Sequence, residues 1–461
     1  MSWDHGSYYL YHILLISGEL LILSTLLHML YQRRNPASMV AWLLFMVMVP
    51  YVAVFLYFIF GRRKQASRYT KSDVSLGALS NNANHQAVIQ GLLTGEQQNL
   101  PQQSVTFYTD GQQAYQALTQ AIIQARRQIN FSTYVFKNDD VTQQLLELLT
   151  QRAKTGVKVR LLIDALGSPG VYFWQRPFKA LREAGGEVVF FMPLLKIPFR
   201  NYINLRNHRK IYLIDEHKVF SGGMNLSEEY LGPTADSNRW HDTLFEIDGL
   251  AALGFSKIFA SDWLYAAKET LTVSDESAIE CVGDTRVQVV PSGPDLKGDV
   301  LYEALLNAIF DAKKRLWIVT PYFIPDDSLS RALVIAQNRG VDVRIITPRT
   351  SNHLVADLAR ASFMSELYEH KVGLYLVEGV MVHAKAVLFD DHAALLGSVN
   401  LDNRSLFLNY EVATFVASPR LVAEVDEWMA GLMAESAEKI PSRSHLRRVL
   451  ENLMRIFAPA L

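Results

Sequence analysis

The spacing of apolar positions changes character along the chain. Tyr8 to Tyr31 is a nearly uncharged run broken only by His12, Glu19 and His28, and Met39 to Phe60 contains no charged residue. A helix needs about 20 apolar residues to cross a hydrocarbon layer, so the two runs predict a transmembrane hairpin turning at Arg33-Arg34-Asn35-Pro36. Pro50 is tolerated in such a helix. Glu19 is costly in lipid, and is expected to face the partner helix or lie near an interface. The first run lacks a basic leader and a second follows at once, which argues against a cleaved signal peptide. The anchor is assigned to 1–64. Residues 65–104 are rich in Gln, Asn and Ser without periodicity, and read as a polar linker.

Beyond the linker, strand-like and helix-like patterns alternate, and the order occurs twice. Val105 opens a strand, Leu118, Ala121, Ile122 and Ala125 share a helical face, and a strand through Ile129, Phe131 and Thr133 ends near Tyr134. In the second half Val287 opens a strand, Leu305, Ala308, Ile309 and Ala312 share a helical face, and Leu316 and Ile318 lead to Tyr322. Each half continues with a helix, a glycine and a β-branched strand, Gly156–Asp164 and Gly340–Ile346. The fold class is therefore α/β, with two pseudo-symmetric sheet domains at 105–275 and 285–461.

The first half is longer, which predicts an insertion within 166–206. Its segment Phe190–Arg200, apolar with Lys196 and Arg200 and followed by Arg206, suits either a lipid surface or packing on the body. The tail Ser444–Phe457 forms a basic amphipathic helix, for docking on the body or on anionic lipid.

At 461 residues and 49% apolar content, the chain has material for a core and for the two spans. A net charge of -1 supplies no basic field for nucleic acid. Cys281 is the only cysteine, so no internal disulfide and no Cys-rich metal site is available. Arg62, Arg63, Lys64, Arg68 and Lys71 follow the second span and outnumber Arg33 and Arg34 in the turn. That bias places the body on the cytoplasmic side.

The chemistry lies in a pattern that occurs twice, His-x-Lys-x4-Asp-x6-Gly-x-x-Asn. The first copy is His208, Lys210, Asp215, Gly222 and Asn225; the second is His383, Lys385, Asp390, Gly397 and Asn400. In an extended run, His and Lys two apart share a face. An imidazole can carry a phosphoryl group and an ammonium can neutralise its oxygens, so two sets predict one phosphodiester site shared by the halves. Asp215 and Asp390 complete the candidate catalytic set, yet their odd offset predicts strand ends without contact to the imidazoles. Downstream, Asp242 and Glu411 start equivalent strands and are expected to orient the histidines. The second copy has Ser398 where the first has Gly223, so the first lacks one hydroxyl donor.

The doubled motif, its Gly-x-x-Asn extensions and the flanking repeat resemble the phospholipase D superfamily over about 105–461. The hairpin, with Ala41-Trp42-Leu43-Leu44 and Phe60-Gly61-Arg62, resembles bacterial membrane-anchored cardiolipin synthases. So do Pro321-Tyr322-Phe323-Ile324-Pro325 and Asn400-Leu401-Asp402-Asn403-Arg404-Ser405. The resemblance implies a multi-pass protein of the bacterial inner membrane that makes cardiolipin and glycerol from two phosphatidylglycerols, without metal or cofactor. One histidine would carry the phosphatidyl group and the other act as acid and then base; Lys210, Lys385, Asn225 and Asn400 would hold the phosphate. A lipid phosphodiesterase or another phosphatidyltransferase is the alternative.

Overall fold

The computed structural model describes residues 5–31, 36–60, 88–93, 101–194, 204–274, 282–296, 298–437 and 445–455. The amino-terminal helices and the body that follows fall in separate units.

In the first unit, α1 (His5–Tyr31) contains a 24-residue stretch long and apolar enough to cross a membrane. The second apolar run is divided into α2 (Pro36–Met48) and α3 (Pro50–Phe60). Pro50 has no N–H to give, but the Val49 N–H to Phe45 carbonyl and Ala53 N–H to Val49 carbonyl bonds, 3.0 and 2.9 Å, carry the ladder past it. Polar pairs link the two runs: Ser17 Oγ lies 2.7 Å from Tyr51 Oη and His28 Nδ1 2.9 Å from Tyr57 Oη. Met29, Met46, Ala53, Val54 and Tyr57 pack between the helices. Glu19 does not face the partner helix; it is exposed. Of the predicted turn at 33–36, Pro36 begins α2 and 33–35 lie outside the described residues.

The expected linker is not featureless. Within 65–104, α4 (88–93) buries Ile89, Leu92 and Leu93 in the core of the second half.

The body's first half runs β1 (Gln102–Tyr108), α5 (Gly111–Gln124), β2 (Gln128–Thr133), α6 (Asp140–Lys154), β3 (Lys158–Asp164), α7 (Pro169–Phe173), α8 (Lys179–Glu183) and β4 (Glu187–Phe191). It ends in β5 (Ile211–Ile214), β6 (Lys218–Gly222), β7 (Leu244–Asp248) and α9 (Ala251–Ala267). The second half runs β8 (Thr285–Ser292), α10 (Val300–Asp311), β9 (Arg315–Val319), β10 (Phe323–Ile324), α11 (Asp327–Asn338), β11 (Asp342–Pro348), α12 (Leu354–Glu369) and β12 (Gly373–Val377). There follow β13 (Ala386–Phe389), β14 (Ala393–Gly397), β15 (Leu401–Asp402), α13 (Asn403–Phe407), β16 (Glu411–Ala417), α14 (Pro419–Ala434), β17 (Ser436–Ala437) and α15 (His445–Met454).

Helices start where side chains satisfy their free N–H groups. Asp110 accepts from Gln112 and Gln113 ahead of α5, and Asp139 with Thr142 forms a capping box on α6. Parallel neighbours need long crossovers, and α6, α11 and α12 supply them.

The halves do not keep separate sheets. One 15-stranded sheet has the order β17-β12-β11-β9-β13-β14-β16-β8-β1-β7-β6-β5-β2-β3-β4. Outward from the β8–β1 seam, β8-β16-β14-β13-β9-β11-β12 mirrors β1-β7-β6-β5-β2-β3-β4, which is the predicted pseudo-symmetry. The seam itself is short, pairing Gln102 with Arg286 and Gln103 with Thr285. The extra length of the first half follows β4, at 192–207. Residues 195–203 there, including Lys196 and Arg200, lie outside the described residues. Phe191, Met192 and Arg206 are buried and offer no lipid-facing surface. Helix α15 docks on the body: Ser362 Oγ lies 2.8 Å from Asn452 Oδ1, and Arg455 lies over the Phe363 ring and 3.0 Å from Glu366.

Candidate active site

Each His-x-Lys stretch lies just before a strand, β5 or β13, and is stitched to the other half through its backbone. His208 N–H donates to the Tyr410 carbonyl (2.9 Å) and Tyr410 N–H to the Arg206 carbonyl (2.8 Å). His241 N–H donates to the Met381 carbonyl (2.9 Å) and His383 N–H to the His241 carbonyl (2.8 Å). These paired bridges bring the two motifs together.

Asp242 and Glu411 meet the histidines crosswise. Asp242, from the first half, places Oδ2 2.8 Å from Nδ1 of His383. Glu411, from the second, places Oε1 3.4 Å from Nδ1 of His208. Asp242 accepts, so Nδ1 of His383 carries the proton and leaves its Nε2 lone pair available, whereas Glu411 faces Nδ1 of His208 without closing a hydrogen bond. The looser contact belongs to His208, whose side chain keeps 20% of its surface exposed.

The Gly223 and Ser398 difference has a steric reason. A Cβ on Gly223 would lie 2.0 Å from Asp242 Oδ1. In the other half, Ser398 coexists with the longer Glu411 and donates to its Oε2 at 2.5 Å. The missing hydroxyl makes room for the shorter acid.

Lys210 Nζ donates to the His208 carbonyl at 2.8 Å. Lys385 Nζ donates to the His383 carbonyl and lies 2.8 Å from Nδ1 of that ring, the atom Asp242 also faces. One nitrogen cannot donate to Asp242 and accept from Lys385 at once, so we assign Nδ1 as the donor to the carboxylate and treat the ammonium as packed against the ring. Burial, reinforced by Lys210, lowers His208 well below its ordinary 6.5. Burial and Lys385 lower His383 to about 4. Burial lowers Lys385 to about 7, with Lys210 adding to the effect, and also lowers Lys210. The same burial raises Glu411 to about 7. The lysines depress the basicity of their neighbours, a strain that a phosphate anion between them would relieve.

Asp215 and Asp390 do not touch the imidazoles. Asp215, in left-handed backbone, accepts the N–H groups of Arg126, Arg127 and Gln128 at 2.8, 2.7 and 2.9 Å. Asp390 accepts from Lys313, Lys314 and Arg315 at 3.1, 2.7 and 3.0 Å. Each carboxylate holds the start of the strand beside its motif, β2 or β9. In this geometry they clamp the backbone and stand away from the imidazoles, as their odd offset predicts. Asn225 accepts from Val135 N–H at 3.1 Å and so secures the end of β2, while Asn400 donates to Asp402.

Several site residues escaped sequence reasoning. Arg209, between His208 and Lys210, is fully buried and reaches Asp262 (2.7 Å), the Glu411 carbonyl (3.0 Å) and the Ser292 carbonyl (3.0 Å). Asp164 accepts from Asn207 N–H at 2.9 Å. Tyr134 lies tilted against His208 with ring centres 3.9 Å apart, while Tyr230, Trp240 and Tyr322 surround His383 at 5.2, 5.5 and 6.4 Å. The bridges Phe136–Leu226 and Phe323–Leu401 make Pro321 the counterpart of Tyr134. The repeat alone therefore could not reveal Tyr134. A charged residue ending an apolar strand, as at Asp164, was the one available signal.

The model of the family described as cardiolipin synthase, phospholipase D-like domain, matches residues 118–263 and 305–433. A second model, phospholipase D-nuclease N-terminal, matches residues 20–62. Cardiolipin synthase 1 of Bacillus cereus is 32% identical over 463 residues, covering 93% of this chain and 90% of that protein. The major cardiolipin synthase of Bacillus subtilis is 31% identical over 459 residues, covering 93% and 95%. The solved phosphatidylserine synthase of Haemophilus influenzae shares the fold, with a TM-score of 0.61 and 16% identity over 81% of this chain and 97% of that one. With its doubled motif, its mirrored sheet and these matches, the chain belongs to the phospholipase D superfamily, in the family of cardiolipin synthase phospholipase D-like domains.

Proposed function

We propose that the protein is a cardiolipin synthase, transferring a phosphatidyl group from one phosphatidylglycerol to another. The observation that carries the reading is the crossed arrangement, two imidazoles each faced by a carboxylate from the other half beside two buried lysines. Names of relatives sharing about a third of the sequence over nearly the whole chain support the substrate class.

The more open His208 attacks phosphorus through Nε2, and the bond to glycerol breaks. His383, protonated while the phosphate is bound, gives its proton to the leaving oxygen. A second phosphatidylglycerol then enters; His383 takes the proton from its hydroxyl, that oxygen attacks phosphorus, and the phosphorus–nitrogen bond to His208 breaks. Lys210 and Lys385 stabilise the equatorial oxygens in both steps. The amino-terminal runs cross the membrane twice, and the basic cluster at 62–71 keeps the body in the cytoplasm.

The test is incubation of the purified protein with headgroup-labelled and acyl-labelled phosphatidylglycerol. Cardiolipin and glycerol in equal amounts are expected. Phosphatidic acid as the main product would make the protein a hydrolase, and absence of any turnover would remove the reading.

A further inference from the structure

Both catalytic histidines are connected, through one aromatic each, to a loop that carries exposed apolar side chains. Tyr134, packed against His208, follows β2, and its carbonyl accepts from Ser168 Oγ at 2.9 Å. Gly167 presses on the same residue, where a Cβ would lie 2.2 Å from the Tyr134 carbonyl oxygen. The next turn is α7, which presents Phe173 and then Trp174, 74% exposed. In the other half, Tyr322 follows β9, lies beside His383, bonds Asn352 and packs on the His353 ring at 5.5 Å. Leu354, the next residue, is 73% exposed and Val355 is also exposed.

These two clusters begin equivalent crossovers, β3 to β4 and β11 to β12, and so stand at matching places on either side of the site. A scattered exposed leucine needs no explanation. Paired apolar clusters at the two approaches to one site do need one. Resting on the reading of the substrate as a two-tailed phospholipid, we propose that Phe173, Trp174, Leu354 and Val355 form the surface by which the body docks on an anionic bilayer. Drawing acyl chains into water is costly, so lipid must reach the histidines while its chains stay in hydrocarbon. A mouth rimmed by apolar side chains and pressed to the bilayer meets that condition. Tryptophan favours the membrane interface, and Arg176, exposed two residues after Trp174, complements anionic headgroups.

The opposite end of the body supplies controls. Ile123 and Phe310 are also exposed, at the ends of α5 and α10, next to the strand starts that Asp215 and Asp390 hold. The experiment uses the full chain with Cys281→Ser and one added cysteine, from Trp174→Cys, Leu354→Cys, Ile123→Cys or Phe310→Cys, carrying a fluorophore. The proteins are reconstituted in phosphatidylglycerol vesicles containing lipids with nitroxides on their acyl chains. Quenching at 174 and 354 is expected to exceed that at 123 and 310 by about threefold or more, as for side chains held below the headgroups. Equal quenching at all four positions would overturn the docking surface. So would a probe shielded from nitroxide and equally shielded in detergent, which would mean that a second protein copy covers it. Cardiolipin formed by the unsubstituted chain is measured alongside. Product without selective quenching removes the surface alone, and quenching without product removes the lipid-transfer reading alone.

Discussion

At the scale of single residues, the site is symmetric in plan and asymmetric in detail. Gly223 with Asp242 and Ser398 with Glu411 are two solutions to one packing problem, a small residue beside an acid of matching length. Gly223→Ser is expected to lose at least about tenfold in cardiolipin formation, because displacing Asp242 removes the support of His383. Adding Asp242→Glu should recover part of the loss, and a double variant no better than the single one would show that length matching is not the constraint. Lys385 leads to a prediction about pH. Its burial-lowered value of about 7 leaves the ammonium charged below that pH and neutral above it. KM for phosphatidylglycerol should therefore rise as pH passes upward through about 7, and Lys385→Arg, charged throughout, should flatten the rise. A KM that falls over the same range would contradict the assignment of Lys385 as a phosphate contact.

At the scale of elements, the clamps explain why the motif includes an aspartate so far from the chemistry. Asp215 accepts three backbone N–H groups at the start of β2, and Asp390 does the same at the start of β9. Asp215→Asn can accept fewer of them and places an amide donor against the remainder. Thermal unfolding is expected to show a loss of about 1–3 kcal/mol, with activity per folded molecule largely kept. Unchanged stability with lost activity would return Asp215 to the chemistry. This geometry also marks what the sequence made legible. Periodicity located β2, β3, β9, β11 and their helices because each buries a regular face, and identical spacing identified both motifs. It could not show that Asp242 supports His383 and Glu411 supports His208, since a crossed contact leaves no trace in spacing. Nor could it show α4, where three buried side chains in a polar stretch are too few to form a pattern. Arg209 was hidden because its counterpart is Ala384.

At the scale of the whole molecule, neither half contains a complete site, since each histidine takes its carboxylate from the other. Mixing His208→Ala and His383→Ala chains should leave synthesis absent, because the bridges between His208 and Tyr410 and between His241 and His383 close within one chain. Recovered synthesis on mixing would mean that the halves pair between chains. The central claim is that His208 carries the phosphatidyl group while His383 moves the proton. It is tested most directly by mixing acyl-labelled phosphatidylglycerol analogues bearing a good leaving group with each histidine variant, quenching, and looking for label on protein. Labelled covalent protein is predicted in His383→Ala, which can be attacked onto but not resolved, and none in His208→Ala; label in His208→Ala with none in His383→Ala would contradict it.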